Sequence, residues 1–156
     1  MKAAASLFSI LLVFGSVASG RIPEREIGFS VIPEPTRGYL DGIYDATILD
    51  EASWTQFWSS LHPGTPVPVV DFEQRMVVVV SMGNPPYSGT DLAVTRVTRL
   101  DANGLRTLLV KVYVEERRPG KGCVIIEPGP TSYQLIETER SPDVTFRRTT
   151  RYVQCQ

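Results

Sequence analysis

The sequence predicts an α+β fold: a mostly antiparallel β-sheet, sandwich or barrel-like, with one short amphipathic helix packed on it. Three observations carry that expectation. Only residues 50–61 repeat apolar side chains at helical spacing. From Val77 to Arg148 the chain reads as β-branched or alternating segments. Between those segments stand Gly, Pro and Asn-Gly turn signals rather than helix caps.

The chain has 156 residues. Met1-Lys2 makes a short positive start, Ala3 to Val17 is apolar, and Ala18-Ser19-Gly20 supplies small residues where a signal peptidase reads them. That apolar run falls short of the roughly 20 residues that span a bilayer. Residues 1–20 are therefore expected to be a cleaved signal peptide, with cleavage after Ser19 the alternative. No Cys follows, so no lipobox is present. The expected location is secreted or periplasmic, with no membrane span.

Residues 21–42 hold Pro23, Pro33 and Pro35 without a sustained period, which predicts an irregular N-terminal arm. Residues 43–156 are expected to form a single globular domain. Ile43 to Leu49 can be its first strand. Asp50 then suits an N-cap, with Glu51 favourable at the positive helix end. Trp54, Phe57, Trp58 and Leu61 follow on one helical face, which assigns both tryptophans to the core rather than to ligand stacking. His62-Pro63-Gly64 stops the helix.

After Thr65-Pro66-Val67-Pro68, Val77 to Val80 is β-branched on both faces, as in a central strand covered on both sides. A strand is expected over 91–99. Asn103-Gly104 marks a hairpin turn into the alternating run from Thr107 to Val114. Further strands are expected over 123–127, 132–138 and 143–148.

Three connections draw attention as binding loops, since loops on a rigid scaffold are where binding residues concentrate. Gly83 to Gly89 is stiff and aromatic-tipped, Glu116 to Gly122 is locally basic, and Pro128 to Thr131 is rigid but uncharged. Simple up-down alternation would put the first two at one end of the sheet and the third at the other. The candidate binding residues are Asn84, Pro85, Pro86, Tyr87, Arg117 and Arg118.

Cys123 and Cys155 are the only cysteines. In an oxidising compartment an even pair reads as one disulfide. Up-down alternation carries a straight run from Asp143 to Cys155 away from Cys123, beyond the roughly 7 Å over which Cα atoms can be bridged. A reversal of the chain near Thr149-Thr150-Arg151 is the expected remedy.

Composition excludes several functions. The net charge of −1 leaves no strongly basic face for nucleic acid. With His62 as the single histidine, neither a metal site nor a His-based triad is expected, and no cofactor. No nucleophile or phosphate-binding motif occurs. Glu115 and Glu116 should point to opposite faces of an extended segment. The balance of charge nevertheless hides an asymmetry: residues 21–95 hold 4 basic and 10 acidic side chains, residues 96–156 hold 11 and 7.

The order of features resembles the PrcB-type protease-complex subunit family. The likeness is carried by the Trp-containing helix, Val70-Asp71-Phe72 leading into Met76 to Val80, the Gly-x-Pro loop, Pro119-Gly120-Lys121-Gly122-Cys123, and Thr131-Ser132-Tyr133-Gln134-Leu135-Ile136. It runs from about Ile27 to the end. Ser88-Gly89 stands where the family usually has Gly-Gly, and Tyr133 where it tends to have Pro. The resemblance implies an exported, non-enzymatic binding or assembly module whose partner is another extracytoplasmic protein, a protease among the candidates. Asn84 to Gly89 also resembles one loop of chagasin-type protease inhibitors, and Arg117-Arg118-Pro119-Gly120 a second. This implies the alternative of a secreted protease inhibitor working through the 83–90 and 116–122 loops.

Overall fold

In the computed structural model, residues 23–35, 38, 40–83, 90–101, 108–123 and 132–154 are described. In chain order they form β1 (Glu24–Ile27), β2 (Phe29–Val31), β3 (Ile43–Ile48), α1 (Glu51–Leu61), β4 (Arg75–Met82), β5 (Asp91–Asp101), β6 (Leu108–Pro119), β7 (Tyr133–Glu139) and β8 (Asp143–Val153). The strands make two four-stranded sheets, ordered β1-β5-β6-β8 and β2-β7-β4-β3. Every pairing is antiparallel except that of β6 with β8. The α+β expectation holds, in its sandwich form, with the helix on the outer face of the second sheet.

The helix forms where its signals predict. The Asp50 carboxylate accepts from the Ser53 backbone N–H at 2.8 Å, satisfying one of the free donors at the helix start. Trp54, Trp58 and Leu61 are buried. The Trp54 indole donates to the Pro68 carbonyl at 2.8 Å and that of Trp58 to Thr65 Oγ1 at 3.0 Å, so the Pro-rich connection wraps the helix. Buried tryptophans need such partners for their N–H groups.

β4 joins two cores. Val77 and Val79 face the helix with Ile48, Trp54, Trp58, Leu61 and Leu135. Met76, Val78 and Val80 face the other sheet, against Val97, Val110 and Val112. All five β4 side chains are fully buried. A strand enclosed on both faces needs apolar residues at every position, which is what the unbroken valine run supplies.

Three expectations are corrected. The arm is irregular only in part: residues 24–31 supply β1 and β2, one edge of each sheet, with the chain crossing between sheets at Gly28. Ile27 and Ile32 are buried. The chain does not reverse near Thr149-Thr150-Arg151. Instead β8 runs straight through Val153, parallel to β6, so that Val153 lies beside Pro119. β7 starts at the end of the sandwich where β6 finishes, so β8, after the crossing through Arg140-Ser141-Pro142, returns to that end; the parity that sets Cys155 apart from Cys123 counts a further strand over 123–127. Finally, the flank of the third loop lies at the same end as the first: the Met82 N–H donates to the Ser132 carbonyl at 3.0 Å.

The expected strand over 123–127, except Cys123, and the Asn103-Gly104 turn lie outside the described residues. Among the described residues, no helix is long and apolar enough to cross a membrane.

Candidate functional site

Several chain segments converge at one end of the sandwich. Gly83 leaves β4 there and Thr90 leads into β5; Ser132 hydrogen-bonds to the Thr90 carbonyl at 3.2 Å. Asp91 pairs with Arg117, and Arg117 with Arg151. Gly42 enters β3 at the same end: Ser81 Oγ donates to its carbonyl and accepts the Gly83 N–H. Both glycines have positive φ, and a Cβ on Gly83 would stand 2.8 Å from the Gly42 carbonyl carbon. Only glycine permits both that backbone shape and that approach.

Asn84, Pro85, Pro86 and Tyr87 lie outside the described residues, as does Cys155. Arg117 and Arg118 do not sit in a loop, because β6 continues through Pro119. As consecutive strand residues they point to opposite faces. Arg117 lies on the outer face, hydrogen-bonded through Nε to Glu115 at 2.9 Å. The hydrogen bond and charge of Glu115, with Asp91 adding, hold its guanidinium above the ordinary value. Arg118 turns inward and donates to Glu116 at 2.8 Å, while its buried Nε has no hydrogen-bond partner among the described residues. The expected basic patch is thus divided between the two faces of one sheet.

Glu116 is the centre of a network that the sequence did not reveal. It accepts from Arg118 and, at 2.8 Å, from Arg148 on β8. Arg148 also forks onto Asp45 of β3, at 3.0 and 2.6 Å, and donates to the Tyr44 and Ser81 carbonyls. One guanidinium therefore ties the edges of both sheets together. Burial pushes the Glu116 carboxyl up, but the hydrogen bonds and charges of Arg148 and Arg118 outweigh it and hold the group below its usual range. Burial likewise opposes charge on Arg148, and Asp45 and Glu116 raise it nonetheless. The sequence signal for Arg148 is its place in the alternation Val144, Phe146, Arg148, which marks the inward face of β8.

His62 has the one His–carboxylate contact among the described residues: Nε2 lies 2.9 Å from Glu34, which also accepts from the Tyr133 hydroxyl. Trp58 packs on the imidazole, with ring centroids 4.5 Å apart. The side chain is fully buried, and its Nδ1 has no hydrogen-bond partner among the described residues. The arrangement holds the arm on the helix end. Among the described residues no three His, Cys, Asp or Glu converge as metal ligands would.

Cys123 lies at the convergent end, with Sγ 3.9 Å from the Val153 carbonyl, and the Gly120 N–H donates to that same carbonyl at 2.9 Å. Neither family models, nor curated proteins, nor solved structures give a match to this chain.

Proposed function

We propose that this chain is an exported, non-enzymatic protein-binding module, which assembles with another extracytoplasmic protein through the end of the sandwich where Gly83, Thr90, residues 117–122 and Ser132 gather. The convergence of separate segments on one rigid end is the observation that carries this reading, because such an end presents a continuous surface held by two sheets. Arg117 and the exposed Tyr152 and Val153 lie on or beside it. Exposed aromatic and arginine side chains are the types that dominate binding interfaces. The resemblance to PrcB-type subunits supports a role in stabilising a protease complex. A disulfide between Cys123 and Cys155 belongs to the same reading, since it would fasten the end of β8 beside the contact surface.

Cross-linking in the exported fraction of the source cell, with wild-type and Tyr87→Ala/Arg117→Glu chains as paired baits, tests the assignment. The expected result is one partner that the wild-type chain retains and the double variant loses. A partner retained equally by both would move the interface elsewhere. The same convergence suits insertion into a protease cleft, the alternative reading. Failure to inhibit papain-like and subtilisin-like proteases at micromolar protein would remove it.

A further inference from the structure

The second sheet ends in β3, along whose outer side no strand of the described residues lies. β3 pairs with β4 alone, and apart from the Tyr44 carbonyl, which accepts from Arg148, its edge is open to main-chain pairing. Ile43 and Tyr44 on this strand are 73% and 43% exposed. Alongside it, between β3 and α1, runs a groove of about 370 Å³. Tyr44, Ala46 and Ile48 form one wall and Gln56, Phe57 and Ser60 the other. No charged side chain lines it.

We propose that this groove is a docking site for an extended segment of a partner protein, apolar where it faces the groove and basic at its ends, which adds to β3 as a fifth strand. Strand addition draws affinity from main-chain hydrogen bonds and selectivity from pockets that take alternate side chains. An exposed strand edge beside an apolar groove supplies both. Charge selects the occupant. Asp41 precedes β3 and Glu51 follows it, both exposed, and α1 carries no basic residue. Asp45 is already neutralised by Arg148 from the inner face. The other exposed edge on this side, β8, presents Arg147 and Arg151 and repels the same segment. A basic strand is therefore directed to β3, an acidic one to β8.

This site runs along β3 and uses none of the residues assigned to binding at the loop-bearing end, so each stands or falls by its own variants. A displayed library of random linear peptides, panned against the full mature chain, supplies the probe. Sequences alternating apolar residues with Lys or Arg are the expected enrichment. A synthetic copy of the enriched peptide should lose about tenfold or more in Kd against Gln56→Trp or Ser60→Trp, which fill the groove from exposed helix positions. Methylation of its alternate backbone nitrogens should abolish binding, and Arg117→Glu should leave it unchanged. Four results would overturn the proposal. They are no enrichment, an acidic consensus, binding indifferent to both tryptophan variants, or a dimer of the free protein that those variants dissolve, which would make a second copy the occupant. Unaltered far-UV circular dichroism identifies the variants that retain the fold.

Discussion

Arg148 closes one side of the sandwich with a single planar group. Its fork meets both oxygens of Asp45, while Nη1 holds Glu116. Lysine can supply the charge but not the fork, so Arg148→Lys is expected to keep only part of the effect. Arg148→Met leaves Glu116 and Asp45 without their shared cation. Breaking a fully buried pair costs about 3–5 kcal/mol. Asp45 and Arg148 are partly exposed here, so about 2–3 kcal/mol is expected, read from urea midpoints at neutral pH. A loss indistinguishable from zero would show that solvent replaces the clamp. Glu24 gives a second residue-scale prediction. Hydrogen bonds from Thr98 and Tyr113, with the charges of Lys111 and Arg96, lower its carboxyl to about 2 from 4.5 against a small opposing effect of burial. A folded value below the unfolded one contributes stability that is present above the unfolded pKa and lost as pH falls through the folded one. The advantage of wild type over Glu24→Gln should therefore be complete above about pH 5, mostly lost by about pH 2 and gone below it. An advantage that persists unchanged at the lowest pH would refute the assignment.

At the scale of elements, the helix and β4 were legible because their signals are local. Asp50, the four-residue apolar stripe and the valine run each announce an element within their own few positions. Replacing the cap, Asp50→Ala, should cost about 1 kcal/mol of stability, measured by thermal or urea unfolding. β1 and β2 were not legible. They have four and three residues, and β1 contributes one buried side chain after Glu24, Arg25 and Glu26. Such strands are specified by the edges that receive them, not by a period of their own. Nor does any local signal distinguish a parallel from an antiparallel partner for β8. Of the candidate site, Arg117 was legible as an exposed cation. The inward turn of Arg118 was not, because Glu116 to Gly122 reads as a loop, and a loop gives no parity to place a side chain. The course of β8 bears directly on the cysteines. Val153 sits beside Pro119, with its carbonyl 3.9 Å from Cys123 Sγ, which is the end of β8 that the proposed disulfide would fasten. The oxidised chain should weigh two hydrogens less than the reduced one, and non-reducing peptide mapping should join Cys123 to Cys155. The Cys155→Ser variant should lose about 3–4 kcal/mol, the chain-entropy value for a loop of about 30 residues.

Across the whole molecule, the arm decides whether the remainder can fold. Residues 23–35 complete the edge of each sheet opposite β3 and β8, so a domain drawn from residue 43 onward lacks one side of both layers. The losses add up on named groups. Ile27 leaves the core between the sheets and Ile32 leaves the core beneath the helix, each worth about 1.5–3 kcal/mol of burial. The fully buried side chain of His62 loses Glu34, and Thr98 loses Glu24, at about 1–3 kcal/mol for each polar group left unmatched where water is excluded. Those terms together rival the 5–15 kcal/mol that holds a typical domain. A chain begun at residue 43 is therefore expected to show strand-rich circular dichroism without fixed tertiary packing, bind a hydrophobic dye, and unfold without a cooperative transition. One begun at residue 21 should unfold cooperatively, and restoring residues 21–42 in trans as a synthetic peptide should recover part of that cooperativity. Cooperative unfolding of the shorter chain at an unchanged midpoint would instead make the arm an accessory to a core that stands without it.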